Sequence, residues 1–272
     1  MLALSTRRLA AASVLAVMAP LAAIAISAAA DQSLERYEVD GRKSGYIFMT
    51  EGTRALQDDD FQNPAMFAVD LGRDLWTRAE GAEGRSCASC HGGAEGSMRG
   101  IAARYPQYNV GRGGLINLEL RINDERADRM KAPPLPYDSE EMVALSAYIA
   151  YQSRGDAMTV DIDGPSRPFF EQGRAFYTKR RGQLDLACAQ CHDALVGSKL
   201  RGDVISQGQI NGFPVYRLTW RAMSSRHQMF AWCNTSIRAE PYEYGSEEYL
   251  SLELYLAWRG RGLPIEAPAV RR

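Results

Sequence analysis

Cys87-Ala88-Ser89-Cys90-His91 and Cys188-Ala189-Gln190-Cys191-His192 are two copies of one five-residue pattern in a chain of 272 residues. Cys-x-x-Cys-His is the spacing of c-type haem attachment. Two thiols three positions apart reach the two vinyl groups of one porphyrin as thioethers. The next residue, an imidazole, then lies under the iron as its proximal ligand. A redox dithiol or a zinc site beside a chance histidine is the competing reading of one copy. Two copies in a chain with only three histidines argue against it. Cys87, Cys90, Cys188 and Cys191 are therefore expected to bind two haem c groups covalently, with His91 and His192 as metal ligands.

The surroundings of the motifs repeat as well. Gly72-Arg73-Asp74-Leu75-Trp76 precedes the first and Gly173-Arg174-Ala175-Phe176-Tyr177 the second, with 15 positions from glycine to cysteine in both. Each run predicts a helix whose apolar and aromatic face packs on the haem edge; an ordinary core helix is the alternative. Beyond the motifs, the segment from Leu145 to Gly155 matches that from Leu252 to Gly262. Tyr148/Tyr255, Ala150/Ala257, Tyr151/Trp258 and Arg154/Arg261 fall in register. The closing glycines are natural helix stops. A helix, the attachment motif and a second amphipathic helix make one small cytochrome unit, and the plan occurs twice. The fold class expected is all-α, with two tandem cytochrome c-type domains that each carry one haem. The turn-rich run from Asp156 to Pro168 places the join, giving a first domain at 31–160 and a second, with the active site, at 161–272. The segment Asp31–Phe67 resembles neither repeat and reads as an arm, against a partner or against the second domain.

Residues 1–30 differ from the rest. Arg7 and Arg8 are followed by an apolar run from Leu9 to Ile26 and by Ser27-Ala28-Ala29-Ala30 before Asp31. That order predicts a cleaved secretory signal peptide; an uncleaved membrane anchor is the alternative. Ser5-Thr6-Arg7-Arg8 has a twin-arginine look, but the residues after Arg8 fit the general secretory route better. Loss of residues 1–30 takes two positive charges from a formal net charge of −1, leaving −3. No basic excess exists for nucleic acid to read, and the mature chain is expected in the periplasm.

The opposite face of each iron needs a ligand or an open position. With His91 and His192 used as proximal ligands, His227, Cys233 and the methionines are left. Cys233 stands 41 positions after His192, ahead of the last helix, where a small cytochrome places its distal ligand. As the odd cysteine of five in a secreted chain it needs a task; a buried inert thiol is the alternative. A thiolate on the iron lowers its potential and favours sulfur chemistry over plain electron carriage. His227, six residues earlier, reads as another distal candidate, a proton-handling neighbour or a surface residue.

Several blocks resemble the SoxA subunit of SoxAX cytochromes. They are Ile210-Asn211-Gly212-Phe213-Pro214-Val215-Tyr216-Arg217-Leu218, then Trp220, His227, Phe230, Cys233-Asn234 and Arg238-Ala239-Glu240-Pro241, with Asn63-Pro64, Ala103-Arg104-Tyr105-Pro106, Asn117-Leu118-Glu119, Arg121-Ile122-Asn123, Glu253-Leu254-Tyr255-Leu256-Ala257 and the tail from Glu266 to Arg272. The similarity runs from about residue 35 to the C-terminus. It implies a heterodimer with a small monohaem cytochrome, SoxX-like, and an L-cysteine S-thiosulfotransferase activity. In that activity thiosulfate is joined oxidatively to a cysteine of a SoxYZ-like sulfur carrier, and electrons pass to a cytochrome c acceptor. The resemblance implies that Cys233 is catalytic, ligates the second haem and carries sulfur as a persulfide. A sulfane sulfur there is an electrophile for a thiolate, with an electron sink beside it.

Two positions depart from the pattern. Where the family has Asn-x-Cys-Arg, this chain has Asn123-Asp124-Glu125-Arg126, so Glu125 replaces a distal cysteine. The first iron is then five-coordinate, or takes Glu125, or takes a methionine such as Met98 or Met130. Where the family has an arginine thought to hold substrate, four residues before the catalytic cysteine, this chain has Met229. A thioether replaces a charge-assisted bond poorly; Arg217, Arg221 and Arg226 are the nearby cations. The departures keep a second reading open, a dihaem electron-transfer or docking subunit without sulfur chemistry of its own.

Overall fold

Two helix pairs carry the molecule, and each closes on a glycine. In this computed structural model, which describes residues 34–272, Met66–Thr77 packs along Glu140–Tyr151, and Arg167–Thr178 packs along Glu247–Arg259. The first helix of each pair buries one stripe: Val69, Gly72, Leu75 and Trp76 in one, Phe170, Gly173 and Tyr177 in the other. A Cβ on Gly72 would lie 2.2 Å from the carbonyl oxygen of Ala144, and one on Gly173 would lie 1.9 Å from that of Ser251. The repeated glycine is thus the contact point at which two backbones touch. The second helix of each pair starts from a serine cap. Ser139 accepts from the Met142 N–H and Ser246 from the Tyr249 N–H, and Glu140, Glu141, Glu247 and Glu248 lie in the positive first turns. These helices end at Tyr151 and Arg259, ahead of Gly155 and Gly262, which turn the chain at φ of 90° and 84°.

The cores follow the pairs. One is drawn from residues 69 to 149, with Val69, Trp76, Met142, Leu145 and Tyr148 at its centre. Another gathers Tyr177, Phe230, Tyr249, Leu252 and Ile265, and takes Ala102, Ala103, Ala150 and Met158 from the first half. A third cluster, Leu115, Phe170, Leu250 and Leu254, spans both halves. Tyr37–Arg272 accordingly pack as one compact unit.

Short strands, which hydrophobic periodicity does not predict, accompany the helices. The hairpins Gln107–Asn109/Gly114–Ile116 and Val215–Arg217/Ala222–Ser224 occupy matching places before a helix in each half. Ala269–Arg271 adds in parallel to Val215–Arg217, making a three-stranded sheet. The arm crosses to the second half. The Lys43 N–H donates to Gln207 Oε1 at 2.7 Å, Ser44 bonds Glu266, Gln57 Nε2 donates to Glu266 Oε2 at 3.2 Å, and Asn63 Nδ2 reaches the Pro268 carbonyl at 3.3 Å. The signal peptide expected at residues 1–30 lies outside the described residues. Among the described residues, no helix is long and apolar enough to cross a membrane.

Candidate functional site

Each attachment motif is a single helical turn, Cys87–His91 and Cys188–His192, which brings its two thiols and imidazole to one short element. The first is capped by Ser86, whose Oγ accepts from the Ser89 N–H at 3.2 Å while Ser89 Oγ accepts from the Ser86 N–H at 3.0 Å. In the second, Gln190 Oε1 takes the Ala187 N–H at 2.6 Å. The N-terminal helix of each half holds the end of the motif. Trp76 Nε1 donates to the Gly92 carbonyl at 2.9 Å. At the matching place the Tyr177 hydroxyl donates to Asp193 Oδ1 at 2.8 Å, and Arg259 bridges both groups.

None of the four motif cysteines is paired in a disulfide, which leaves each sulfur for a thioether. His192 is oriented for a metal. Its Nδ1 lies 2.8 Å from the Ser206 carbonyl, so Nδ1 carries the proton and Nε2 is left as the ligating nitrogen. Gly208, at φ 68°, closes on the ring so tightly that a Cβ there would come within 2.9 Å of it. Thiol pairs on one turn with an adjacent imidazole, oriented in the case of His192, fit covalent haem c, Cys87/Cys90/His91 in one half and Cys188/Cys191/His192 in the other.

A capped helix follows the hairpin in each half. Asn117 Oδ1 accepts from the Leu120 N–H and starts Leu118–Glu125; Ser225 accepts from the Gln228 N–H and starts Arg226–Ser236. Eight residues after each cap stand Glu125 and Cys233, so the two are structural equivalents. Beyond Glu125 the first helix widens into a π turn, Arg126–Met130, before Lys131 reverses the chain at φ 54°. In the second half Arg238 does so at φ 57° without the extra residue. Glu125 lies within electrostatic reach of Cys87, and Cys188 and Cys191 lie within reach of Cys233. Burial first, then these cysteines, push the Cys233 thiol up to about 12, while Arg217 acts in the opposite sense.

The other candidates divide. Met229 lies one turn before Cys233 on the same helix and is half-buried. Glu125 is engaged by Arg121 at 2.8 Å and Arg129 at 4.0 Å. Met130 is buried in the π turn, and Met98 packs against the first core. His227 is not aimed at a haem. It is fully buried, its Nδ1 accepts from the Gly245 N–H at 3.0 Å, and its Nε2 therefore donates to Glu253 Oε2 at 3.0 Å. That network also holds Arg226, whose Nη1 is 3.4 Å from Glu253 Oε1, together with Asn117, Tyr137 and Glu119. Sequence reasoning gave Glu119 and Glu253 no such role, because nothing local marks two carboxyls that meet only after folding. An open groove of about 700 Å³ lined by Trp220, Gln228, Ala231, Trp232, Thr235 and Tyr242 runs along another face of the Cys233 helix.

A family model for the SoxA/TsdA cytochrome c domain matches residues 71–158. The chain is 45% identical over 232 residues to L-cysteine S-thiosulfotransferase subunit SoxA of Rhodovulum sulfidophilum, covering 85% of this chain and 81% of that one. It is 43% identical over 239 residues to the subunit of the same name from Pseudaminobacter salicylatoxidans, covering 88% and 84%. Its fold matches a chain in the crystal structure of SoxXA from P. pantotrophus with a TM-score of 0.82 at 43% identity, covering 85% and 87%.

Proposed function

The chain belongs to the SoxA family, and from that premise we propose that it is the dihaem subunit of a periplasmic L-cysteine S-thiosulfotransferase with Cys233 at its centre. One observation carries the assignment. Cys233 stands on the Arg226–Ser236 helix, and its neighbour Asn234 accepts at 2.6 Å from Nη1 of Arg181, in the loop ahead of the second attachment motif. A lone thiol in that position can act as ligand and as sulfur carrier at once.

The proposed chain has two haem-bearing halves, 31–160 and 161–272, after a signal peptide at 1–30. Cys87, Cys90 and His91 would hold one haem c and Cys188, Cys191 and His192 the other, with Cys233 as a further ligand to the second iron. When bound, the second haem supplies an electron sink beside a sulfur nucleophile. The protein's own residues do the rest. Gly208 and the Ser206 carbonyl fix the His192 ring, and Tyr177, Asp193 and Arg259 lock the end of the motif turn to the helix pair.

In the overall reaction a carrier cysteine thiol and thiosulfate lose two electrons and one proton, and an S–S bond forms between them. The product is a cysteine S-thiosulfonate. The electrons leave through a SoxX-like monohaem partner to cytochrome c, and a SoxYZ-like protein supplies the thiol. The test is turnover by the purified dihaem chain co-expressed with its monohaem partner, supplied with thiosulfate, carrier and oxidised cytochrome c. Cytochrome reduction together with a thiosulfonate mass increment on the carrier is expected. Cys233→Ala should lose both while retaining two attached haems by mass. Full activity in that variant refutes the assignment of Cys233, and loaded haems without any adduct in the wild type make the chain an electron carrier or docking subunit.

A further inference from the structure

Glu125 and Cys233 are each followed by a side chain tied to the loop ahead of the attachment motif, and the two halves make the tie with opposite chemistry. The loop is a tight hairpin in both. Glu80 bridges Arg85 in the first half and Arg181 bridges Leu186 in the second, and Arg85 and Leu186 stand two positions before Cys87 and Cys188. Gly81 and Gly182, both at φ 70°, turn the hairpin against the end of the capped helix. A Cβ on Gly81 would lie 2.1 Å from the Met130 carbonyl oxygen, and one on Gly182 would lie 2.3 Å from that of Ile237. The hairpin N–H groups then take carbonyls from that helix end. Ala82 and Glu83 donate to Lys131 and Met130, and Gln183 and Leu184 donate to Arg238 and Ile237.

On this shared frame the side chains differ. In the first half the helix supplies the cation: Arg126, next to Glu125, pairs with Glu80 at 2.7 Å. In the second half the loop supplies it. Arg181 Nη1 donates to Oδ1 of Asn234, next to Cys233, at 2.6 Å, and its Nη2 donates to the Glu240 carbonyl at 2.9 Å. The guanidinium sits against the rings of Phe176 and Tyr242, 4.9 and 4.6 Å from their centroids. Asn234 is buried, and its Nδ2 donates to the Phe230 carbonyl at 2.8 Å and to the Tyr249 hydroxyl at 3.1 Å. Arg181 thus joins the motif loop to the Cys233 helix and to the chain beyond it. Cys233 lies in the last turns of Arg226–Ser236, where carbonyls run out of intrahelical partners and helices open first. A cation beside that end also meets the negative pole of the helix. A planar fork between two rings, with both arms engaged, is a rigid tie that an ammonium could not reproduce.

We propose that Arg181 is a positioning residue of the sulfur site, holding the Cys233 turn, through Asn234, at a fixed offset from the second attachment motif. The proposal rests on the reading of Cys233 as ligand and sulfur carrier, and the experiment separates the two. Electron paramagnetic resonance spectra, the potential of the second haem and steady-state turnover are measured on the dihaem chain in complex with its monohaem partner. Wild type, Arg181→Gln, Arg181→Lys, Asn234→Ala, Arg181→Gln with Asn234→Ala, and Cys233→Ala are compared. Arg181→Gln should keep both haems attached by mass and leave the first haem as in wild type. Its second haem should show thiolate-ligated and unligated signals together, at a raised potential, because a thiolate lowers it. Its kcat should fall about tenfold or more, the effect of a misplaced reacting group, with the KM for thiosulfate little changed. Arg181→Lys should recover part of each loss. Adding Arg181→Gln to Asn234→Ala should displace the potential little further, since both break one tie. A second haem with wild-type spectrum and potential in Arg181→Gln overturns the proposal. So do additive effects in the double variant, and so does an equal disturbance of both haems, which would make Arg181 a support of the fold as a whole. Where Arg181→Gln does not fold, Arg181→Lys with a wild-type spectrum and potential overturns it in the same way. If Cys233→Ala leaves the spectrum of the second haem unchanged, Cys233 is no ligand, and the reading beneath the proposal falls with it. If Cys233→Ala changes the spectrum and Arg181→Gln does not, only the proposal falls.

Discussion

At the scale of single residues, the chemistry follows from which side chain occupies a shared position. Cys233 and Glu125 stand at the same step of equivalent helices, eight residues from their caps, and one can carry sulfur while the other cannot. Met229 and Cys233 are one helical turn apart, so their side chains project from the same face, with Cβ atoms about 5–6 Å apart. A cation introduced at 229 would therefore reach an anion held beside Cys233. Met229→Arg should lower the KM for thiosulfate roughly tenfold, leave kcat little altered, and steepen the loss of affinity with added salt. Steady-state kinetics at two ionic strengths checks this; a KM that does not move would mean that position 229 does not look onto the substrate. The two attachment motifs stand out in the sequence because a porphyrin would dictate their spacing. The task of His227 was not, since its partners, Gly245 and Glu253, are brought to it only by tertiary folding.

At the scale of elements, the internal repeat has a mechanical meaning. Gly72 and Gly173 recur at a constant distance from their motifs because both mark the crossing of a helix pair, and the crossing sets where the motif turn begins. Gly173→Ala places a methyl group 1.9 Å from the Ser251 carbonyl oxygen and 2.9 Å from the Tyr255 Cβ. The helices must separate, at a cost of about 1–3 kcal/mol or more. Gly52→Ala, in the Glu51–Asp58 helix with nothing within 4 Å of the new methyl, should instead stabilise by up to about 0.5–1 kcal/mol. Thermal unfolding of the two variants should move in opposite directions. If Gly173→Ala melts with the wild type, the close crossing is not a constraint. Periodicity and the closing glycines made these helices readable before folding. The short strands were not, because two or three residues carry no period, and neither was the π turn, whose extra residue shows only when the two halves are superposed by their caps. The docking side of the arm was undecided for a related reason. Its polar contacts to Gln207, Glu266 and Pro268 join residues far apart in the chain.

At the scale of the whole molecule, the halves are joined through a buried polar network as well as through shared apolar contacts. Glu119 and Asn117 come from the first half, and Arg226, His227 and Glu253 from the second. Burial alone would raise Glu253, but Arg226 outweighs it with help from His227 and Asn117, and the carboxyl is held below the usual range. Glu119 is raised, first by burial and then by the charge of Glu253, and its Oε2 has no hydrogen-bond partner. The two shifts act on stability with opposite signs. Glu253 contributes stability that is present above the ordinary carboxylate pKa and is lost as pH falls through its depressed folded value. Glu119 contributes stability that is present below the ordinary value and is lost as pH rises through its elevated folded value. A glutamine at 119 keeps the shape and cannot ionise, so it removes the second loss and leaves the first. Glu119→Gln should therefore gain stability relative to the wild type as pH rises above about 5, and still weaken in acid through Glu253. Melting temperatures of the two holoproteins across that range provide the check. The difference between them should widen toward neutral pH; curves that stay parallel would mean that Glu119 does not titrate within the network that ties the halves together.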